Sequence, residues 1–136
     1  MNTELKDKIE KDIQKRNITP KSIFQTIKYS INGLKLYAKD GKSIIIYILG
    51  VILEVLMGFI FKINGLEWIL IICILGIILS VELINTAIEA TCDSISKEYN
   101  ELIKVAKDCG SAATFVVFTV ALILNIIIFL PKIVVW

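Results

Sequence analysis

The chain has 136 residues, of which 56% are hydrophobic, and it contains no histidine, so His-based catalysis and His-ligated metal sites are excluded. That length corresponds to a single domain, and long Ile/Leu/Val runs in so short a chain point to a membrane protein rather than a large soluble core. The net charge of +2 hides an asymmetry: residues 1–42 carry ten Lys/Arg against five acids, and the remainder is acidic on balance.

The basic segment has no interleaved aromatics and no nucleic-acid motif, so nucleic acid is not an expected partner. A cytoplasmic flank of a membrane protein accounts for it. The first apolar run begins only near Ser43, and no signal peptide is expected. Cys73, Cys92 and Cys109 lack metal-type spacing and read as small, reduced packing residues.

Residues 1–18 form a polar, Lys/Glu/Asp-rich extension, and residues 19–136 form the membrane domain. Thr19-Pro20 marks a helix start, with proline at the first helical position. From there to Lys39, Ile23, Phe24, Ile27, Ile31, Leu34 and Leu36 mix with Lys28 and Lys35. This pattern predicts an amphipathic surface helix over 20–39, lying at a membrane interface.

A first span is expected over 43–61, with Glu54 as its one charge; a lone acid at that depth marks a polar interior or a paired carboxyl. Lys62-Ile63-Asn64-Gly65 is a turn signal, and Trp68 is an interfacial anchor. A second span runs over 66–96 and exceeds the bilayer thickness. Residues 98–110 read as a polar connection, followed by a third span over 112–130 that opens on the small residues Gly110, Ser111, Ala112 and Ala113. Pro131 and Trp136 close the chain. Thirteen of the cations fall in residues 1–42 and 94–108, which predicts that both lie on the cytoplasmic side and that the C-terminus lies outside. An all-α membrane protein follows. Its three spans are too few to enclose a polar site alone, so an oligomer is expected.

The second span ends in Glu82-Leu-Ile-Asn85-Thr-Ala-Ile-Glu89-Ala-Thr-Cys-Asp93. At about 100° per residue, Glu89 and Asp93 each fall roughly 20° from Glu82, and Asn85 about 60° away. One carboxylate at bilayer depth costs about 2.5–3.5 kcal/mol on insertion scales, so a stripe of them has a chemical purpose. Phosphoryl transfer needs a hard cation held by carboxylates and phosphates, a cationic side chain and a base. Glu82, Glu89, Lys107 and Asp108 supply those types, while the Gly-rich loop of a P-loop NTPase is absent. An ion-conducting subunit uses the same stripe equally well. The residues alone leave both open.

The stripe, followed by Glu98-Tyr99-Asn100-Glu101 and Ala106-Lys107-Asp108-Cys109-Gly110-Ser111-Ala112-Ala113, resembles the prokaryotic diacylglycerol kinase family, small membrane lipid kinases that include the undecaprenol kinases. The resemblance covers roughly residues 24–130. It implies a homotrimer in the cell membrane, with active sites at the cytoplasmic interface shared between subunits. It also implies ATP- and Mg²⁺-dependent phosphorylation of a lipid alcohol, either diacylglycerol or undecaprenol. By position, Glu82 would be the general base and Glu89 the Mg²⁺ ligand. Asn85 and Lys107 would face the substrate and the transferring phosphate; Asp93, Tyr99, Asn100 and Asp108 would surround the nucleotide. Gly41 departs from the pattern, standing where the resemblance implies a second metal-binding glutamate, and Asp40 is the neighbouring carboxylate for that role. The opposing expectation built on Gly41 is a non-catalytic trimeric relative that binds nucleotide or lipid without turnover.

Overall fold

A computed structural model describes residues 20–39 and 41–134; the 1–18 extension and Asp40 lie outside the described residues. Among the described residues the architecture is all-helical: α1 (Pro20–Lys39), α2 (Lys42–Ile60), α3 (Gly65–Ile95) and α4 (Glu101–Val134). Two units are distinguished, one up to Leu36 and one from Tyr37 onward. In the first, α1 has the predicted bounds. Its hydroxyls turn back onto the helix, with Thr26 donating to the Ser22 carbonyl at 2.9 Å and Ser30 to that of Thr26 at 3.0 Å.

In the second unit, α2, α3 and α4 each contain a membrane-length window with mean hydropathies of 2.5, 2.5 and 2.7. All three are long and apolar enough to cross a bilayer. α3, at 31 residues, is about 46 Å long at 1.5 Å per residue, against a hydrocarbon core of about 30 Å. It therefore carries its last turns beyond the apolar layer.

The turn between α2 and α3 is tightly determined. Lys62 takes a left-handed φ of 48°, and Asn64 caps α3 by accepting from the Leu66 and Glu67 amides at 2.9 and 3.0 Å. Glu67 reaches back to the Asn64 amide at 2.7 Å, completing a capping box. The same Glu67 carboxylate pairs with Lys132 near the end of α4 at 3.0 Å. Beside this turn, a Cβ on Gly58 would lie 2.5 and 2.7 Å from the Trp68 ring, so only glycine lets the indole rest on the α2 backbone. Ile63, Ile71, Ile128 and Phe129 form the core at this end, and Phe61 packs on Phe129 with ring centroids 5.7 Å apart.

A second cluster, Ile74, Ile78, Val117 and Ala121, continues the α3–α4 seam. Close packing carries this association, since lipid tails are as apolar as the side chains themselves. α2 is tied in by two polar contacts at depth. The Tyr47 hydroxyl donates to the Leu75 carbonyl at 3.2 Å, and the Asn125 amide donates to Glu54 Oε1 at 2.6 Å. Glu54, half-buried, is thus paired through Oε1, while its Oε2 is buried without a hydrogen-bond partner.

Two expectations are corrected. Residues 98–110 are not a connection: only 96–100 are non-helical, and α4 begins at Glu101. Asn100 caps it, its side chain accepting from the Leu102 and Ile103 amides at 2.9 and 3.3 Å, and Lys104 and Asp108 pair one turn apart at 2.8 Å. Polar composition marked an exposed helical segment rather than a loop. α4 runs on through Pro131 to Val134, the proline's missing N–H leaving one intrahelical bond unmade. Of the three free cysteines only Cys92 is buried, while Cys73 and Cys109 are exposed on the outer faces of α3 and α4.

Candidate active site

The stripe on α3 is regular helix throughout, so its carboxylates are set by helix geometry alone. From Glu82 to Glu89 is about 10 Å along the axis, and from Glu82 to Asp93 about 16 Å. Glu82 and Asn85 are half-buried, and Glu89 and Asp93 are exposed. The stripe therefore runs from the interior of the bundle out to its polar end.

Glu82 lines a small cavity of ~130 Å³ with Tyr37, Ser43, Ile46, Tyr47 and Phe118. The walls are mostly aromatic and aliphatic, with a carboxylate at one side. A larger cavity of ~230 Å³ adjoins it, sharing Ile46, Tyr47 and Phe118 and reaching Glu54 and Asn125.

Asn85 donates from Nδ2 to Glu89 Oε1 at 3.0 Å, one turn along. Its Oδ1 is buried without a hydrogen-bond partner and rests against Gly110 of α4, where a Cβ would collide with it. Gly110 thus brings α4 close enough to fix the Asn85 amide, and Asn85 in turn orients Glu89. The small residue read in the sequence as a packing device has a role in the site.

Asp93, Tyr99, Asn100, Lys107 and Asp108 line one cavity of ~460 Å³, together with Ser96, Lys97, Glu98, Ile103 and Lys104. Five of the six residues predicted around the nucleotide and its phosphates are brought together here; the sixth, Asn85, and the predicted base Glu82 do not line this cavity. Lys107 bridges the two helices, its Nζ lying 2.5 Å from Asp93 Oδ1. This pairing holds the Lys107 ammonium above the usual lysine range, the hydrogen bond to Asp93 being the main cause. Lys104 is raised in the same way by its hydrogen bond to Asp108. Both lysines precede the apolar stretch of α4 and carry full charge at any physiological pH. Sequence reasoning missed Lys104, because its segment read as a connection. Its spacing of three from Lys107 is the signal that a helical reading exposes.

No three Asp, Glu, Cys or His side chains converge among the described residues, so no all-protein metal cage is present there. Glu89, exposed and steadied by Asn85, is instead a single hard oxygen donor one turn before Asp93. That donor set fits a small hard cation that takes most of its ligands from water and substrate phosphates. Gly41 has φ 70° and ψ −51°, a strained turn conformation that side chains rarely adopt. Glycine at this position answers a backbone requirement.

Three apolar helices of membrane length, with a polar pocket at one end, define a multi-pass membrane protein. The sequence profile of the prokaryotic diacylglycerol kinase family matches residues 28–129, and the chain belongs to that family. It is 40% identical over 75 residues to the undecaprenol kinase of Bacillus subtilis, an alignment covering 55% of this chain and 61% of that protein. It is 40% identical over 102 residues to the diacylglycerol kinase of Pseudomonas aeruginosa, covering 74% of this chain and 81% of the relative. With the diacylglycerol kinase of Escherichia coli the identity is 38% over 73 residues, covering 54% and 60%. The chain thus spans less than two thirds of the Bacillus and Escherichia proteins and four fifths of the Pseudomonas one.

Proposed function

We propose that the protein is a membrane lipid kinase that transfers the γ-phosphate of ATP to the hydroxyl of a lipid alcohol. Family membership supports the reaction class, and the names of its relatives supply the two candidate acceptors, undecaprenol and diacylglycerol. The observation that carries the reading is the gathering of Asp93, Tyr99, Asn100, Lys107 and Asp108 around one polar cavity at the end of α3.

Each residue has a chemical part in this reading. Glu82, half-buried beside an apolar cavity, accepts the proton of a hydroxyl delivered from the hydrocarbon layer. Asn85 orients Glu89 through their hydrogen bond, and Glu89 holds Mg²⁺. When bound, Mg²⁺ neutralises charge on the nucleotide phosphates. Lys107 turns from Asp93 to the transferring phosphate, and Tyr99 and Asn100 flank the base. Asp40 remains the candidate second metal ligand.

The large apolar faces left uncovered on α2, α3 and α4, among them Phe59, Ile72 and Phe115, support burial in lipid and against other subunits. The distance of Glu82 from the polar cavity supports active sites completed between subunits, in a homotrimer. The concentration of cations in 1–42 and 94–108 supports a cytoplasmic site with access to ATP.

The test is an ATP phosphorylation assay in detergent micelles, with diacylglycerol and undecaprenol offered side by side, with and without Mg²⁺. Labelled phosphate on one lipid, lost when Mg²⁺ is chelated, is the expected result and names the acceptor. A folded oligomer that labels neither lipid would overturn the reading in favour of a non-catalytic relative.

A further inference from the structure

Lys104 and Lys107 lie three residues apart on α4, about 60° apart around the helix and separated by about 4.5 Å along it. Both line the cavity that gathers the nucleotide-site residues. Their ammonium groups are held by different partners: Lys104 by Asp108 of its own helix at 2.8 Å, and Lys107 by Asp93 of α3 at 2.5 Å. The charged lining residues balance, with Lys97, Lys104 and Lys107 against Asp93, Glu98 and Asp108. A polyphosphate entering this cavity therefore meets no net positive field and depends on cations that can reach it. Both lysine pairs are solvent-exposed, with side-chain exposures of 59% and 63% for Lys104–Asp108 and 38% and 66% for Lys107–Asp93. Exposed pairs of this kind are weak, so phosphate oxygens compete for the ammonium groups, and a lysine with three donors can bridge acid and phosphate together.

We propose that Lys104 is a second phosphate-binding cation of the site, forming with Lys107 a two-pronged clamp on the polyphosphate chain of the nucleotide, with Asp108 holding Lys104 in place before the nucleotide arrives. This rests on the kinase reading above. Lys104 is better placed for the task than Lys97, which lies in the non-helical 96–100 segment, because the helix and Asp108 fix its direction. The second cation supplies charge at a site whose Mg²⁺ is held by few carboxylates.

The test is direct binding of ATP, ADP and AMP to the full-length protein in detergent, for wild type, Lys104→Gln and Lys104→Arg, with KM and kcat measured in parallel. Loss of one charge-assisted contact predicts an ATP Kd raised about tenfold in Lys104→Gln. The penalty should shrink from ATP through ADP to AMP, KM for ATP should rise while kcat changes little, and Lys104→Arg should restore most of the affinity. An unchanged ATP Kd in a folded Lys104→Gln, or an equal loss for all three nucleotides, overturns the clamp. If Lys104→Gln does not fold, Lys104→Met, which keeps the exposed stem of the side chain without its charge, is read in its place: a loss of affinity graded from ATP through ADP to AMP supports the clamp, and an unchanged ATP Kd or an equal loss for all three overturns it. Wild type that binds no nucleotide at all refutes the kinase reading, and the clamp with it.

Discussion

The two ends of the helical bundle are built to opposite specifications. At the α2–α3 turn, a capping box, an ion pair from Glu67 to Lys132, an indole laid on a glycine and the Ile63–Ile71–Ile128–Phe129 core leave little room for rearrangement. At the other end, α3 and α4 meet through Asn85 against Gly110 and through an exposed bridge from Asp93 to Lys107. There the polar groups line open cavities. One end holds the helices, and the other keeps charged groups available by leaving them partly unengaged. Substitutions should separate the two roles, with loss of activity at one end and loss of stability at the other.

The largest effect is expected at Glu82. Glu82→Gln keeps the shape of the side chain but removes its basicity, and general-base catalysis contributes roughly 10²–10⁴-fold. Lipid phosphorylation should fall by that factor, while ATP affinity and thermal stability stay at wild-type values. A variant retaining most of its turnover would show that another group accepts the hydroxyl proton.

At the packed end the pattern should reverse. Gly58→Ala drives a methyl group into the Trp68 ring, an overpacking that costs about 1–3 kcal/mol. Thermal unfolding in detergent should move down accordingly, with kcat and KM unchanged below the transition. An unaltered melting temperature would mean that Trp68 moves aside freely, and that this end is less rigid than its contacts indicate.

Much of this contrast was legible in the sequence. The surface helix, the first two spans and the stripe from Glu82 to Asp93 follow from hydropathy and helical periodicity, because a bilayer imposes both strictly. The start of α4 was not legible. Its first turns are polar, so hydropathy stops short of them, and the cap at Asn100 has to be weighed against a loop of similar composition. Nor did sequence spacing reveal that Glu54 would find Asn125, 71 positions away. The same holds for Asn85 and Gly110, whose contact depends on how closely two helices approach. Partners within one helix are set by its period, whereas partners between helices are set by packing.

Gly41 tests where that boundary falls. From sequence, its glycine reads as a missing carboxylate, and Gly41→Glu as a gain in Mg²⁺ affinity. The structure gives the residue φ 70° and ψ −51°, close to a γ-turn, a sparsely populated conformation in which a side chain costs about 1–3 kcal/mol. Surrounding space is not the obstacle, since a Cβ there meets only the Lys39 carbonyl, at 3.9 Å. Conformation decides the outcome: Gly41→Glu should lower the melting temperature modestly and leave the Mg²⁺ dependence of phosphorylation where it was, because a strained backbone does not hold a carboxylate in a fixed direction. Gly41→Ala should lower stability by a similar amount, which separates the backbone effect from the added charge. A Gly41→Glu variant with tighter Mg²⁺ dependence and undiminished stability would show that the backbone at Gly41 rearranges to admit a ligand, and that the exposed end of the molecule is more adaptable than its glycine suggests.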